Sequence, residues 1–293
     1  MILVFGSINL DLIFQLPALP APGQTLLAAD ARLEPGGKGA NQAVAAARDG
    51  AAVLMAGAVG RGGLAEAALA GLTRAGVDLL LGARLTASTG CASVATDALA
   101  RNQIIVAPGA NLLADQARVG DAVLGRISWL LLQMETDPVQ AGRLAERARK
   151  HGAKVMLNLA PAQAEARDLL RHTDLLLVNE DEAEFTAKMF GTGATAAALQ
   201  WALGVDVVRT MGARGAEAAT DGAEFFVPAP RVEAVDTTAA GDCLAGVLAA
   251  GLDRGLSLET ALRRGVVAAS LACTRRGSQS SLPDYDEISR VVG

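Results

Sequence analysis

At 293 residues the chain stands at the upper edge of what one hydrophobic core fills, so one large α/β domain with an appendage is expected. Hydrophobic residues make up 51% but aromatics only 3%, which calls for a core of Ala, Leu and Val with close helix contacts through Gly and Ala. A formal net charge of -5 with no basic run argues against nucleic acid as a partner, and no run approaches the ~20 apolar residues of a membrane helix. Cys91, Cys243 and Cys273 lie far apart without CxxC spacing, giving neither a disulfide framework nor a zinc site and fitting a reducing, cytoplasmic compartment. His151 and His172 sit beside helix-end chemistry and are read as structural or exposed, which sets histidine catalysis aside.

Ile2 to Phe5 is a buried strand rather than a signal peptide, since it lacks a basic flank and turns polar at Asn9 and Asp11. Leu12 to Pro35 then breaks the α/β rhythm with Pro17, Pro20, Pro22 and Gly23, and Ser88 to Val106 alternates in strand fashion without a helix. Together these regions, about 12–35 and 88–106, form either a small β-sheet projecting as a lid or a pair of surface hairpins. Glu34 to Gln42 carries Gly36, Gly37 and Gly39 with Lys38 and Asn41 as donors, ahead of a helix. A Walker A loop is excluded because Gly37-Lys38 is followed by Gly39 rather than Ser or Thr. The loop suits polyhydroxyl recognition, or is simply a glycine-rich helix start.

The next strand, Val53 to Val59, leads into Gly60-Arg61-Gly62-Gly63-Leu64-Ala65, which matches a dinucleotide-binding turn with Asp78 further on. No Lys, His or Tyr constellation for hydride transfer accompanies it. Further apolar runs at Trp129 to Gln133, Val155 to Asn158, Leu175 to Val178 and Val205 to Thr210 alternate with helical segments, the pattern of a parallel, doubly wound sheet. Ligands bind such sheets outside the carboxyl ends of the strands. Those ends carry Asn9, Asp11, Glu135, Asn158 and Asn179. Asn179 to Glu182 reads either as an N-cap with favourable acidic neighbours or as a magnesium site. Thr210 to Gly215 suits a hairpin or a nucleotide seat.

Asp236 to Asp242 lies between a strand-like run and an Ala/Gly-rich helix. Ala239, Ala240 and Gly241 are small enough for their N–H groups to crowd around an anion at the first helical turn. Asp242 aims a carboxylate at the same spot, where it can accept the proton of an attacking hydroxyl. This arrangement reads as a phosphoryl-transfer site.

The glycine loop and the Asp236 to Asp242 motif, together with Gly6 to Asp11, Leu131 to Glu135, Asn158 to Pro161 and Asn179 to Glu182, make the chain resemble the phosphofructokinase-B-type, ribokinase-like carbohydrate kinases over nearly its whole length. The resemblance implies a ribokinase-like doubly wound sheet in a single domain, 1–293, with a β lid. It implies ATP-dependent phosphorylation of the 5-hydroxyl of D-ribose. In that frame Asn9, Asp11, Gly37, Lys38, Asn41 and Glu135 hold the sugar, Asp242 is the general base, and Ala239, Ala240 and Gly241 form the anion hole. Asn179, Thr210, Gly212, Gly215 and Gly241 line the ATP site, and Glu182 orders hydrated Mg²⁺. A K⁺ site takes the Asp236 carboxylate, carbonyls of Thr238, Ala272, Arg275 and Gly277, and the Ser281 hydroxyl. The resemblance also implies a homodimer through the lid. Departures are the Gly60 to Gly63 turn, which lacks the acidic pair usual there, Cys243 after the base, and a less acidic lid turn at Asp97 to Asn102. They leave deoxyribose, ketohexose or nucleoside kinases as neighbouring expectations, and a catalytically silent sugar sensor as a more distant one.

Overall fold

Side chains of the strand β1 (Ile2–Phe5) alternate between two buried layers, Ile2 and Val4 facing one and Leu3 and Phe5 the other. A strand covered on both faces belongs inside an α/β sandwich. The computed structural model describes residues 1–81, 86–97 and 102–292. The remaining strands are β2 (Asn9–Gln15), β3 (Asp30–Gly36), β4 (Val53–Gly57), β5 (Asp78–Leu81), β6 (Gly90–Thr96), β7 (Asn102–Ala107), β8 (Trp129–Leu132), β9 (Lys154–Asn158), β10 (Leu175–Val178), β11 (Asp206–Thr210), β12 (Gly215–Thr220) and β13 (Ala223–Pro228). The helices are α1 (Lys38–Arg48), α2 (Gly63–Arg74), α3 (Asp121–Leu124), α4 (Pro138–Lys150), α5 (Ala166–Leu169), α6 (Glu180–Phe190), α7 (Ala196–Leu203), α8 (Ala240–Asp253), α9 (Leu258–Ala272) and α10 (Tyr285–Val292).

The large sheet has nine strands in the order β13-β12-β11-β10-β9-β8-β1-β4-β5. From β11 to β5 every neighbour is parallel, as the strand and helix alternation requires. The expected parallel, doubly wound sheet is extended at one edge, where β12 and β13 run antiparallel. The cause is local: Gly212–Arg214 makes a short 3-10 turn and Gly215 takes φ +116°, so the chain reverses as a hairpin with no crossover helix. Helices α1, α2, α8 and α9 cover one face and α4, α6 and α7 the other.

A second, four-stranded sheet in the order β3-β2-β6-β7 stands apart from the first. The chain passes from β1 to β2 through only Gly6-Ser7-Ile8, so the small sheet springs directly from the end of a central strand. Leu33 and Ile105 on one face and Ile104 on the other are exposed, while α2 packs against β2 and β3. Residues 98–101 of the expected lid turn lie outside the described residues. No helix among the described residues is long and apolar enough to cross a membrane.

Candidate active site

The site is built where α1 and α8 start side by side under the open end of the sheet. Gly37 has φ +89°, and a Cβ there would sit 2.8 Å from the Asn9 nitrogen, so only glycine lets the loop before α1 pass this close to the start of β2. Further along, a Cβ on Gly246 of α8 would lie 2.4 Å from the Gln42 carbonyl oxygen. The small seam brings the helices close enough for direct contact between their polar first turns. Asn41 Nδ2 donates to Asp242 Oδ2 at 3.0 Å, and Gln42 Nε2 donates to Asp242 Oδ1 at 3.1 Å. Asp242 is only 6% exposed.

Asn9, Asp11, Gly37, Lys38, Asn41 and Glu135 converge on one side of Asp242. Ser7 Oγ donates to Glu135 Oε2 at 2.5 Å and the Lys38 N–H to the same oxygen at 3.2 Å, which fixes that carboxylate against the glycine loop. Asp11 Oδ1 is buried without a hydrogen-bond partner, a polar atom aimed at the site with nothing in the protein to bind. Burial, followed by the charges of Glu135, Glu34 and Asp242, pushes the Asp11 carboxyl up to about 7. The Asp242 charge raises Lys38 above its usual range, reinforced by Glu135 and Glu182 and opposed by burial. Its ammonium therefore interacts with the carboxylates of Asp242 at the start of α8, Glu135 after β8 and Glu182 at the start of α6. Sequence reasoning missed Asn111, which donates from Nδ2 to Asn9 Oδ1 at 2.7 Å and accepts the Ile8 N–H at 2.9 Å. It lines a 270 Å³ cavity with Asn9 and Glu135. Only its position in a long unpatterned loop accompanied it in the sequence.

On the other side lies a cavity of 510 Å³ lined by Thr210, Gly212, Gly215, Thr237, Ala240 and Gly241 among others. The hairpin reading of 210–215 holds, and the turn that reverses the chain also forms a wall of this cavity. Thr237, Arg231 and Cys273 of the same lining escaped the sequence reading, because they carry no pattern beyond their neighbours. Asn179 is not part of this lining. Its side chain accepts the Glu182 N–H while Glu182 Oε2 accepts the Asn179 N–H, both at 2.8 Å, a complete capping box. Burial raises the Glu182 carboxyl despite that N–H and the Lys38 charge.

Ala239 caps α8 with φ +58°, a left-handed conformation that alanine adopts at a cost of about 1–2 kcal/mol. The Ala240 N–H turns toward the Thr237 carbonyl at 3.3 Å. The N–H groups of Gly241 and Asp242, in the first turn, have no partner within the helix and form the anion-facing end of its dipole. Behind them, Asp236 accepts from the Thr238 N–H at 2.9 Å, the Thr238 hydroxyl at 2.6 Å and the Gly277 N–H at 3.0 Å. Burial pushes Asp236 up, but these bonds and Arg32 outweigh it and hold the carboxyl below its usual range. The Ala272 carbonyl accepts the Arg275 N–H at 3.1 Å, and the Ser281 hydroxyl donates to the Ser278 carbonyl at 2.8 Å. Glu34 of β3 accepts the Ser278 N–H at 3.0 Å, tying the small sheet to the same loop.

The dinucleotide-like turn is used otherwise. The Gly60 N–H donates to Thr89 Oγ1 at 3.1 Å, and a Cβ there would lie 2.2 Å from the Ala87 carbonyl oxygen, so the turn packs against the base of β6. Cys243 is fully buried and burial pushes its thiol up, the state of a packing residue. His151 is exposed beside Asp121 at 3.7 Å, and His172 lines a separate groove with Pro138 and Arg143.

Residues 1–285 match the family model of pfkB family carbohydrate kinases. The chain is 34% identical over 297 residues to a ribokinase of Haemophilus influenzae, covering 97% of this chain and 95% of that one. It is 33% identical over 300 residues to a deoxyribokinase of Salmonella typhi, covering 99% and 98%. Among solved structures it is similar to an Arabidopsis thaliana ribokinase complexed with ribose and ATP, with a TM-score of 0.87, 27% identity, and coverage of 99% of this chain and 98% of the other. The whole-chain family match and the nine-stranded sheet with its separate small one agree, and the chain belongs to the pfkB family of carbohydrate kinases.

Proposed function

We propose that the chain is an ATP:D-ribose 5-phosphotransferase. The observation that carries this reading is the position of Asp242, a buried carboxylate between the polar cluster of Asn9, Asp11 and Glu135 and the 510 Å³ cavity beside Thr237 and Gly241. Asn9, Asp11, Asn41, Glu135 and the Gly37 and Lys38 loop hold the furanose hydroxyls. ATP occupies the larger cavity along Thr210, Gly212, Gly215 and Gly241, with Asn179 at its margin. The 5-hydroxyl oxygen forms a bond to the γ-phosphorus as the bond to the β,γ-bridging oxygen breaks. Its proton passes to Asp242 and ADP leaves. Charge on the moving phosphoryl group is met by the N–H groups of Ala239, Ala240 and Gly241, with the Ala240 N–H exchanging its 3.3 Å bond to the Thr237 carbonyl for a phosphate oxygen, and by the Lys38 ammonium, an electrostatic contribution.

Two ions fit the residues present. No cluster of three or more His, Cys, Asp or Glu among the described residues could cage a metal. Mg²⁺ bound chiefly by phosphates and water needs only a carboxylate such as Glu182, whose buried charge a cation would offset. When bound with ATP, Mg²⁺ neutralises phosphate charge. The Asp236 carboxylate, the carbonyls of Thr238, Ala272, Arg275 and Gly277, and the Ser281 hydroxyl are hard oxygen donors suited to K⁺. These residues would brace the loop that presents the N–H donors without touching the sugar.

The test is ADP release from ATP and Mg²⁺ with D-ribose, 2-deoxyribose, fructose and adenosine, each with and without K⁺. K⁺-stimulated turnover on ribose is expected. Preference for 2-deoxyribose, the second reading that the 33% identical deoxyribokinase supports, would keep the mechanism and change the substrate. Sugar binding with no ADP formed would instead point to a silent sensor.

A further inference from the structure

A chain of buried amides reaches Asp242 from the sheet. Gln133, just past β8, donates from Nε2 to Gln42 Oε1 at 2.7 Å. Gln42 Nε2 in turn donates to both Asp242 Oδ1 at 3.1 Å and Asn158 Oδ1, at the end of β9, at 3.0 Å. Gln42 is 0% and Gln133 1% exposed. A carboxylate only accepts hydrogen bonds, so Gln42 must turn its NH₂ toward Asp242. Its carbonyl oxygen then faces Gln133, which must donate, and Asn158 must present oxygen. The charge of one residue thereby sets the polarity of the chain.

The two carboxylate oxygens are held differently. Oδ2 is held by Asn41, whose amide also accepts from Gln279 Nε2 at 3.1 Å and which the reading above assigns to the sugar. That bond can exchange for one from a sugar hydroxyl. Oδ1 is held by Gln42, which has no exposed surface with which to meet a substrate. We propose that Gln42 is the positioning residue of the catalytic base: it anchors Oδ1 to the ends of β8 and β9 and leaves Oδ2 as the oxygen that takes the proton. This rests on Asp242 being the base, as read above.

The test is a double-mutant cycle with Gln42→Met, which keeps the volume and removes the donor, and Asp242→Asn, assayed on the sugar that the panel identifies. With Asp242 present, Gln42→Met is expected to lower kcat about 10- to 100-fold, the scale of a lost hydrogen bond to a charged group, with KM for sugar and ATP within about threefold. In the Asp242→Asn background the same substitution should change the residual rate by less than about threefold, because the group it positions is gone. Equal losses in both backgrounds, or a loss confined to KM, would reduce Gln42 to a packing residue. Undiminished kcat in Gln42→Met would overturn the proposal alone, whereas undiminished kcat in Asp242→Asn would overturn the base assignment and the proposal with it. Thermal melts report whether each variant folds. If Gln42→Met does not, Gln133→Met removes the next bond outward, and its expected loss of about threefold or more in kcat must likewise vanish without Asp242.

Discussion

Asp11 and Glu34 face each other across β2 and β3, and like charges directly opposite oppose pairing. Glu34 is compensated by Arg32 at 2.9 Å and by the Ser278 N–H, whereas Asp11 keeps a buried, unpartnered oxygen. Its carboxyl, raised to about 7, holds a proton in the folded chain that the unfolded chain releases near pH 4. Between those values the folded state binds more protons, so this group's contribution to stability is present at low pH and is lost as pH rises toward 7. Asp11→Asn is therefore expected to melt a few degrees higher than the parent at pH 8, with little difference at pH 4.5, and to bind sugar more weakly. Equal melting temperatures at pH 8 would show that the burial is relieved in solution. For Asp242→Asn the expected effect is a loss in turnover of about 10²- to 10⁴-fold with sugar affinity retained, checked by steady-state kinetics beside calorimetry. Asp242 was legible as a carboxylate in the first turn of a glycine-flanked helix. Asn111 was not, because its role comes from a contact to a residue 102 positions away.

Helices α1 and α8 each carry half of a working pair on a seam of Ala and Gly. The seam decides whether Asn41 and Gln42 can reach Asp242 at all. Gly246→Leu would drive a side chain against the Gln42 backbone. The expected outcome is a loss of about 1–3 kcal/mol in chemical denaturation, as for other overpacked sites, together with reduced kcat as the amide bonds to Asp242 lengthen. Gly142 of α4 makes the contrast, since a Cβ there meets nothing within 4 Å. Gly142→Ala should stabilise by about 0.5–1 kcal/mol through helix propensity alone, with kinetics unchanged. The sequence announced this seam through its low aromatic and high small-residue content, but which glycines were obligatory depended on the distance between two helices.

At the scale of the molecule, one face of the small sheet exposes Leu33 at 58% and Ile105 at 66%, apolar side chains aligned by the strand register and of the kind that marks contact with another molecule. A second copy of the chain meeting it through this sheet would make the homodimer that the family resemblance implies. Ile105→Lys should then shift the species seen by light scattering from dimer to monomer at micromolar concentration. A parent chain that is already monomeric there would remove the lid as an assembly surface. Because β2 follows β1 after three residues and Glu34 bonds the Ser278 N–H, movement of this sheet would reach both the sugar side and the loop behind the anion-facing helix end.

By itself the sequence determined the alternation of strands and helices, the short runs at Ile2 to Phe5 and Leu175 to Val178 that became β1 and β10, and the motifs that bring an acid and small residues to a helix start. These are local matters of periodicity, side-chain size and backbone permission, which neighbours along the chain decide. Tertiary structure alone decided the use of the Gly60 turn as packing and the amide chain around Asp242. Each of these depends on which polar group a buried donor or acceptor finds across the fold, and a buried group must be satisfied by whatever packing brings within about 3 Å.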